Sequence, residues 1–508
     1  MVADKNFDSE MCSSIPLNFI NQIQPHGILL VVDKSTMKII QVSENIESLF
    51  DMVPAEFLNK PLSDFIDGDL IDQFKYKIDK WNIKDQLPER IKFLVGGKPF
   101  NFFSSVHYKD DYLLLEMEVI ADGEIDHSFF TLYQDIKYVM AAIKQAKDII
   151  SLGDIIAKEI KNISGFDRVM VYSFDKTWNG KVLAEAKETY LDSYLDLHFP
   201  ASDVPKQARE LYFTNPYRLI PNRSYTPANM LPVINPLTRS FTDLSECVLR
   251  SVPSVHLEYL KNMNVEASMS TPIIVNNTLW GLISCHHATA KYLRVDLRST
   301  FELLSQVISV QLSALENQRI LLQKNRLHAD SIKILEHLYI ENDFVEGLLH
   351  GKINLQSVFN ASGVAIIHDG EVKTIGEVPL MQQVKEIIKW LQRYHKEIYA
   401  TDSLSADFYF HEEVERSISG LLSLPIEANK GNFILIFRPE IIQTLSWGGN
   451  PYHAVQFESD GVSYHPRKSF EVWKESIKNI SESWLDQELE TAEIIRTAIL
   501  ERIIRDRS

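Results

Sequence analysis

Leu279-Trp-Gly-Leu-Ile-Ser-Cys-His-His287 reads as a β-strand. Alternation sends Trp280, Leu282, Ser284 and His286 to one face, and Cys285 and His287 to the other. That geometry disfavours a Cys-His-His metal cluster, because neighbours on a strand point to opposite sides. His286 can then face a pocket while Cys285 packs as a small buried hydrophobe. Further upstream, Arg168-Val-Met-Val-Tyr-Ser-Phe174 puts Met170, Tyr172 and Phe174 on one face, and Glu266-Ala-Ser-Met-Ser270 sets Ser268 beside Ser270. Two adjacent hydroxyls suit a carboxylate, and Arg218 and Arg250 offer the charge-assisted bonds that carboxylates favour. In Phe199-Pro-Ala-Ser-Asp-Val-Pro205 a proline near each end restricts itself and the residue before it. Asp203 in that turn presents its carboxylate and its carbonyl in a fixed direction.

Around these stretches the chain has 508 residues, a length for two to four domains, each with its own core. It is 45% hydrophobic and 24% charged, which is ordinary globular composition. A net charge of −17 argues against nucleic acid or an anionic membrane as partner. The longest apolar runs, such as Ile28-Leu-Leu-Val-Val32, have strand length and fall far short of a spanning helix. The first residues lack a signal-peptide pattern, so a cytoplasmic protein is expected. Three widely spaced cysteines suggest neither a disulfide framework nor a zinc site. No dinucleotide fingerprint or P-loop is present, and no kinase phosphoacceptor or ATP-binding glycine box.

Strands are expected from Ile28, from Met37 to Val42, and across Lys92 to Ile120 with a turn at Gly96-Gly97. A helical stretch around Val139 to Ile163 opens a second unit, which ends near Ala288. From Leu282 to Glu346 there is neither Gly nor Pro, and Leu297, Phe301, Leu304, Ile308, Leu312 and Leu315 recur at helical spacing. A helix of about 45 residues would extend about 68 Å. A third unit carries strands at Gly363 to His368 and Asn432 to Phe437. Glu471 to Ser508 again lacks Gly and Pro, with Leu485, Leu489, Ala492, Ile495 and Ile499 on one stripe. Such lengths favour a homodimer through the long helices, and the last helix stops as if another domain followed.

The ordered series Gln24-Pro-His-Gly27, Pro200-Ala-Ser-Asp-Val-Pro205, Val255-His-Leu-Glu-Tyr-Leu-Lys-Asn-Met263, Leu279-Trp-Gly-Leu282 and Cys285-His-His287 resembles the bacteriophytochromes. Trp447-Gly-Gly-Asn-Pro451 and Pro466-Arg-Lys-Ser-Phe470 resemble the hairpin "tongue" of that family. The resemblance implies an α+β protein of three domains, antiparallel sheets flanked by helices, joined by long helices. It assigns a leader with the chromophore cysteine to 1–20, PAS to 21–125 and GAF to 126–320. PHY takes 321–508, with the tongue at 446–470 and a C-terminal signalling helix. The leader would thread the GAF domain as a knot.

The resemblance also implies roles. Cys12 matches the thiol that tethers biliverdin. Asp203 matches the aspartate that meets the pyrrole N–H groups and holds the tongue, and Arg467 its tongue partner, with Trp447, Pro466 and Ser469 as further tongue marks. His256 would stand beside the pyrroles, and His286 would bond the carbonyl of the terminal ring. Tyr172, Phe199 and Tyr259 would surround that ring. Tyr212, Arg218, Arg250, Ser268 and Ser270 would serve the propionates. Leu257 stands where plant and cyanobacterial members carry their attachment cysteine, which favours biliverdin on Cys12. His198 replaces a usual arginine and is expected to titrate near neutral pH; Asn264 replaces a usual glycine; Cys247 is read as structural. The implied function is red/far-red photoreception, relayed to an output domain past Ser508, most commonly a histidine kinase with a response regulator. No catalytic site is expected beyond self-attachment of biliverdin. The rival reading is a PAS/GAF sensor that binds a bilin or haem without photochemistry.

Overall fold

The structure is a computed structural model that describes residues 17–80, 89–120, 129–408, 418–453, 455–457 and 464–507. The chain divides into two compact units. One runs to Leu315 and includes Ser446–Trp473; the other comprises Glu316–Leu445 and Lys474–Ser508.

In the first unit, a seven-stranded sheet is built on Ile28–Asp33, Ile39–Ser43, Glu89–Val95, Lys98–Tyr108 and Tyr112–Val119. Ile28–Asp33 is apolar throughout because both its faces are covered. Leu30 and Val32 join a phenylalanine-rich core with Phe57, Phe93 and Phe102. Leu29 and Val31 face the other way, onto Ala228, Met230, Leu244 and Leu249. The sheet is completed from far along the chain: Ala228–Leu231 pairs with Ile39–Ser43 on one side and Gln22–Ile23 on the other. Gln22–Ile23, just after the leader, thus lies between two distant segments. On its other flank Gln24 N–H donates to the Leu249 carbonyl (2.7 Å) and Ser251 N–H to that of Gln22 (2.9 Å). The remainder of the knot expectation falls on residues 1–16, outside the described residues.

A second antiparallel sheet runs in the order Arg218–Ile220, Ala267–Val275, Thr278–His287, Arg168–Phe174, Gly180–Lys187 and His198–Phe199. One face packs on helices Phe129–Lys144 and Ile149–Ser164. The sequence suggested one helical stretch there. The break falls at Asp148, whose carboxylate caps Ser151 N–H at 2.8 Å and starts a new helix.

Val295–Ile340 forms a helix of 46 residues. The stripe read as a dimer seam is corrected: Phe301, Leu304, Ile308, Leu312 and Leu315 are buried in the helix's own domain core. Ala492, Ile495 and Ile499 are likewise buried within the second unit. The expectation that Glu471 onward is all helical is also corrected. Val472–Ile477 is a strand, Asn479 takes a left-handed φ of 61°, and the helix spans Asp486–Arg507. Freedom from Gly and Pro permitted helix there without enforcing it; β-branched and aromatic residues suit a strand.

The second unit has a five-stranded antiparallel sheet, ordered Glu371–Gly376, Gly363–His368, Asn432–Arg438, Gly420–Glu427 and Tyr399–Thr401. Ile366, Leu422 and Ile436 pack on Ile334, Leu338, Ile495 and Ile499, while Ile367 and Leu435 meet Ile387 and Leu391 of helix Met381–Tyr394. Among the described residues no helix is long and apolar enough to cross a membrane.

Candidate functional site

The free face of the second sheet floors a cavity of about 250 Å³, far more than a buried water needs and near the lower end of small-molecule pockets. Strand register lays out that floor. Arg218 stands opposite Ser270, Ser270 opposite Ser284, and Ser284 opposite Met170. In the next row Ile220 faces Ser268 and Ser268 faces His286; in a third, Leu282 faces Tyr172 and Tyr172 faces Val182. The floor therefore grades from a cationic, hydroxyl-rich end to an aromatic one. A β-bulge keeps this order. Pairing passes from Ile273–Gly281 to Ile274–Leu279, leaving Trp280 as the extra residue. Trp280 consequently packs with Ile283 and Cys285 in the opposite core, which corrects its expected placement beside Leu282.

The walls come from helices and turns. Helix Ser254–Asn262 supplies His256 and Tyr259, three residues apart and therefore on one side, with parallel rings 5.9 Å apart. The short helical turn Ala201–Asp203, entered through Pro200, brings Ser202 and Asp203, and helix Lys206–Leu211 brings Gln207. Gly180 leaves room for Tyr172, whose ring a Cβ would meet at 1.7 Å.

Ser446–Trp473 reaches the rim. Its arm is a hairpin of Val455–Phe457 with Tyr464–Pro466. Arg467, 3% exposed at its side chain, pairs with the Asp203 carboxylate, which also accepts the Tyr259 hydroxyl at 2.8 Å. The Arg467 guanidinium lies 4.7 Å from the Phe470 ring and 5.3 Å from that of Phe199. Asn262 donates to the Arg467 carbonyl (3.1 Å), and His465 meets Glu258 at 2.8 Å. Gly448 is glycine because a Cβ would meet Phe199 at 2.8 Å.

Burial sets the electrostatics. It lowers the His256 imidazole to about 4, with Arg218 adding to the effect, and that of His286 to about 3. It pushes the Asp203 carboxyl up, against the pull of Arg467 and Tyr259. At the opposite end Arg218 donates to the carbonyls of Val248 (3.0 Å) and Arg250, and Arg250 to those of Leu244 (3.2 Å) and Ser245 (3.1 Å). These bonds are to neutral groups. Burial and the charge of Arg218 lower Arg250 to about 9. Two buried guanidiniums without a carboxylate contact among the described residues form an anion-seeking pole, and the Tyr212 hydroxyl, 2.6 Å from Ser270 Oγ, extends it.

Comparison with known proteins decides the family. Models for a PAS fold, a GAF domain and a phytochrome region match residues 12–120, 148–314 and 327–508. The bacteriophytochrome of Xanthomonas campestris is 30% identical over 517 residues, covering 98% of this chain and 79% of that protein. The chain belongs to the bacterial phytochromes, a family of light photoreceptors. Cyanobacterial phytochrome B of Nostoc is 38% identical over 97% of this chain. The chain spans 66% of the length of that relative. The photosensory core module of the Stigmatella aurantiaca phytochrome superposes with a TM-score of 0.83 at 34% identity, covering 98% of both chains. A bacteriophytochrome from R. palustris gives 0.85 at 33%, covering 97% of this chain and 99% of the other.

In this phytochrome Tyr172, Phe199, Asp203, Tyr212, Arg218, Arg250, His256, Tyr259, Ser268, Ser270, His286 and Pro466 all line the one cavity. Arg467 lies behind Asp203. Trp447 pairs with His198 and meets its ring at 5.8 Å, away from the lining. The Ser469 hydroxyl accepts Glu471 N–H at 3.3 Å rather than turning to Asp203. Burial holds His198 below its ordinary value, so it brings little charge at neutral pH, where the sequence suggested titration. Asn264 takes φ 56°, a left-handed backbone that Asn tolerates in place of the usual glycine. Cys12 lies outside the described residues. Sequence reasoning missed Arg168, which is buried, pairs with Glu185 at 3.0 Å and lies 3.9 Å from the ring of Tyr194. Its parity with Met170 and Tyr172 was the available signal. Tyr194 and Gln207 line the cavity from segments with no strand period to betray them.

Proposed function

We propose that this chain is the light-sensing part of a red/far-red receptor that holds biliverdin covalently through Cys12 and changes its tongue on illumination. The observation that carries this reading is the polarity of the cavity. Arg218, Arg250, Ser268 and Ser270 form an anion-seeking end suited to two propionates, and the aromatic rings of Tyr172, Phe199 and Tyr259 gather towards the other. Buried polar atoms without partners among the described residues, His286 Nδ1, Ser202 Oγ and Asn215 Nδ2, fit a guest that carries its own donors and acceptors, as an open-chain tetrapyrrole does. When bound, the bilin supplies light absorption and an isomerisable double bond.

The residues of the chain do the rest. His286 donates or accepts at the end of the floor, His256 and the Asp203 carbonyl serve the pyrrole nitrogens, and the Asp203 side chain links this centre to Arg467. A shift at Asp203 releases Arg467, and the tongue hairpin then refolds toward helix. The signal passes along the 46-residue helix to an output domain past Ser508, of which a histidine kinase is the favoured kind. Exposed Val310, Leu321 and Leu322 on that helix support pairing with a second copy. Biliverdin added to the purified chain should give a red-absorbing band that changes under red light; a chain without either lacks this function. Cys12→Ala should still take up the pigment and lose its retention after denaturation.

A further inference from the structure

Away from the cavity, three donor side chains of different kinds meet where the first sheet packs on the 244–251 segment. His107 and Glu116 stand on neighbouring strands: Ser105 faces Glu116 and His107 faces Leu114, which sets the two side chains diagonally adjacent. Cys247 approaches from the segment opposite. One ligand atom from each lies within 4.8 Å of the other two. His107 Nε2 is 2.6 Å from Glu116 Oε2, while Glu116 Oε1 accepts Leu249 N–H at 2.6 Å and is thereby aimed. Cys247 is fully buried, and its thiol has no hydrogen bond among the described residues.

We propose that His107, Glu116 and Cys247 form a zinc site that clips the first sheet to the segment holding Arg250. Nitrogen, oxygen and sulfur donors together suit zinc, with Zn–N and Zn–O near about 2.1 Å and Zn–S near about 2.3 Å. Three protein ligands leave a fourth, tetrahedral position for water. One carboxylate, one thiolate and a neutral imidazole balance the two charges of the ion, so the buried site carries no net charge. The surrounding charges allow it. Lys109 is held by Asp243 (3.3 Å) and Glu246 (3.2 Å), and Arg250 and Arg218 are held by carbonyls; Tyr112 is the remaining titratable neighbour.

Binding is balanced as follows. The S–H bond of Cys247 breaks, its proton leaves to solvent, and the S–Zn bond forms. The His107–Glu116 hydrogen bond opens as Nε2 and Oε2 turn to the ion, and the proton that lay between them is carried on Nδ1, which leaves a neutral imidazole and an ionised carboxylate as ligands. Leu249 docks the leader at Gln24, and Leu244 and Ser245 hold Arg250, so the ion would stiffen the frame of the anion-seeking pole.

The test is a zinc titration of the whole chain, freed of metal with a chelator and read by competition with a chromogenic chelator. It is run with and without biliverdin, so that its outcome is independent of the pigment. One zinc should bind per chain. Cys247→Ser and His107→Ala should each weaken it about 100-fold or more. Cobalt in place of zinc should give a sulfur-to-cobalt charge-transfer band in the native chain and none in Cys247→Ser. His107→Ala changes a partly exposed residue and guards against a misfolded cysteine variant. Absence of stoichiometric zinc, or zinc and cobalt signals unchanged in both variants, overturns the site.

Discussion

Arg218 and Arg250 at one end of the cavity and Arg467 at the other are all buried guanidiniums, yet they are held in opposite ways. The first two donate to neutral carbonyls, and burial depresses both. Arg467 faces the Asp203 carboxylate, which holds it above its ordinary value. An arginine fixed by carbonyls keeps its charge for an incoming anion. An arginine closed on a carboxylate is a latch: pulling either member away strands a charge in a dry place. One end is thus built to receive, the other to let go.

Arg467→Ala tests that contrast most severely. It should cost about 3–5 kcal/mol at the rim, because Asp203 stays buried without its partner. Biliverdin should still attach, while the light-driven state or its lifetime suffers. Infrared difference spectra with reversion kinetics decide it: an unaltered photocycle would show that Arg467 is no latch. At the receiving end Arg250→Ala should lose about 1.5–3 kcal/mol of charge-assisted bonding, a weakening of biliverdin uptake of about 10-fold to 150-fold, and leave tongue kinetics alone. Equal effects of the two variants on both readouts would erase the distinction.

The histidines add a pH signature. Unfolded imidazoles titrate near about 6.5, whereas His256 and His286 sit at about 4 and about 3 in the folded protein. Between those values the unfolded chain binds protons that the folded one refuses. Stability of the pigment-free chain is therefore intact above about pH 6.5 and falls as the pH drops toward 4, by at most about 1.4 kcal/mol per pH unit for each imidazole. Urea titrations across that window should show a shallower fall in His286→Gln; an identical slope would mean that His286 is not buried neutral. The smallest effect is expected of Ser270→Ala, which removes one hydroxyl bonded to Tyr212 and should cost about 1 kcal/mol of biliverdin binding.

The cavity floor was largely legible in the sequence because a strand has a period of two. That rule put Ser268 with Ser270, and Ser284 with His286, on the correct side. It failed at Trp280, since one extra residue inverts parity and nothing in Leu279-Trp-Gly-Leu282 marks a bulge apart from its glycine. The walls were less legible: the proline-bounded turn singled out Asp203, its role and that of His256 came from resemblance, and Gln207 and Tyr194 came from neither source. Helical spacing identified the stripe from Phe301 to Leu315 correctly and assigned it the wrong neighbour, because the same pattern serves a domain core and a seam between copies. Gln22–Ile23 pairs with residues more than 200 positions away, which no local rule foretells.

That last pairing limits how the protein can be cut and recombined. A fragment ending near residue 125 would lack Ala228–Leu231 and leave two strand edges bare, an invitation to aggregate. Grafting the light-sensing pocket onto another carrier therefore requires moving the leader, the first sheet and the 228–251 stretch as one inheritance. What looks in sequence like a row of interchangeable cassettes is, at this seam, a single indivisible part.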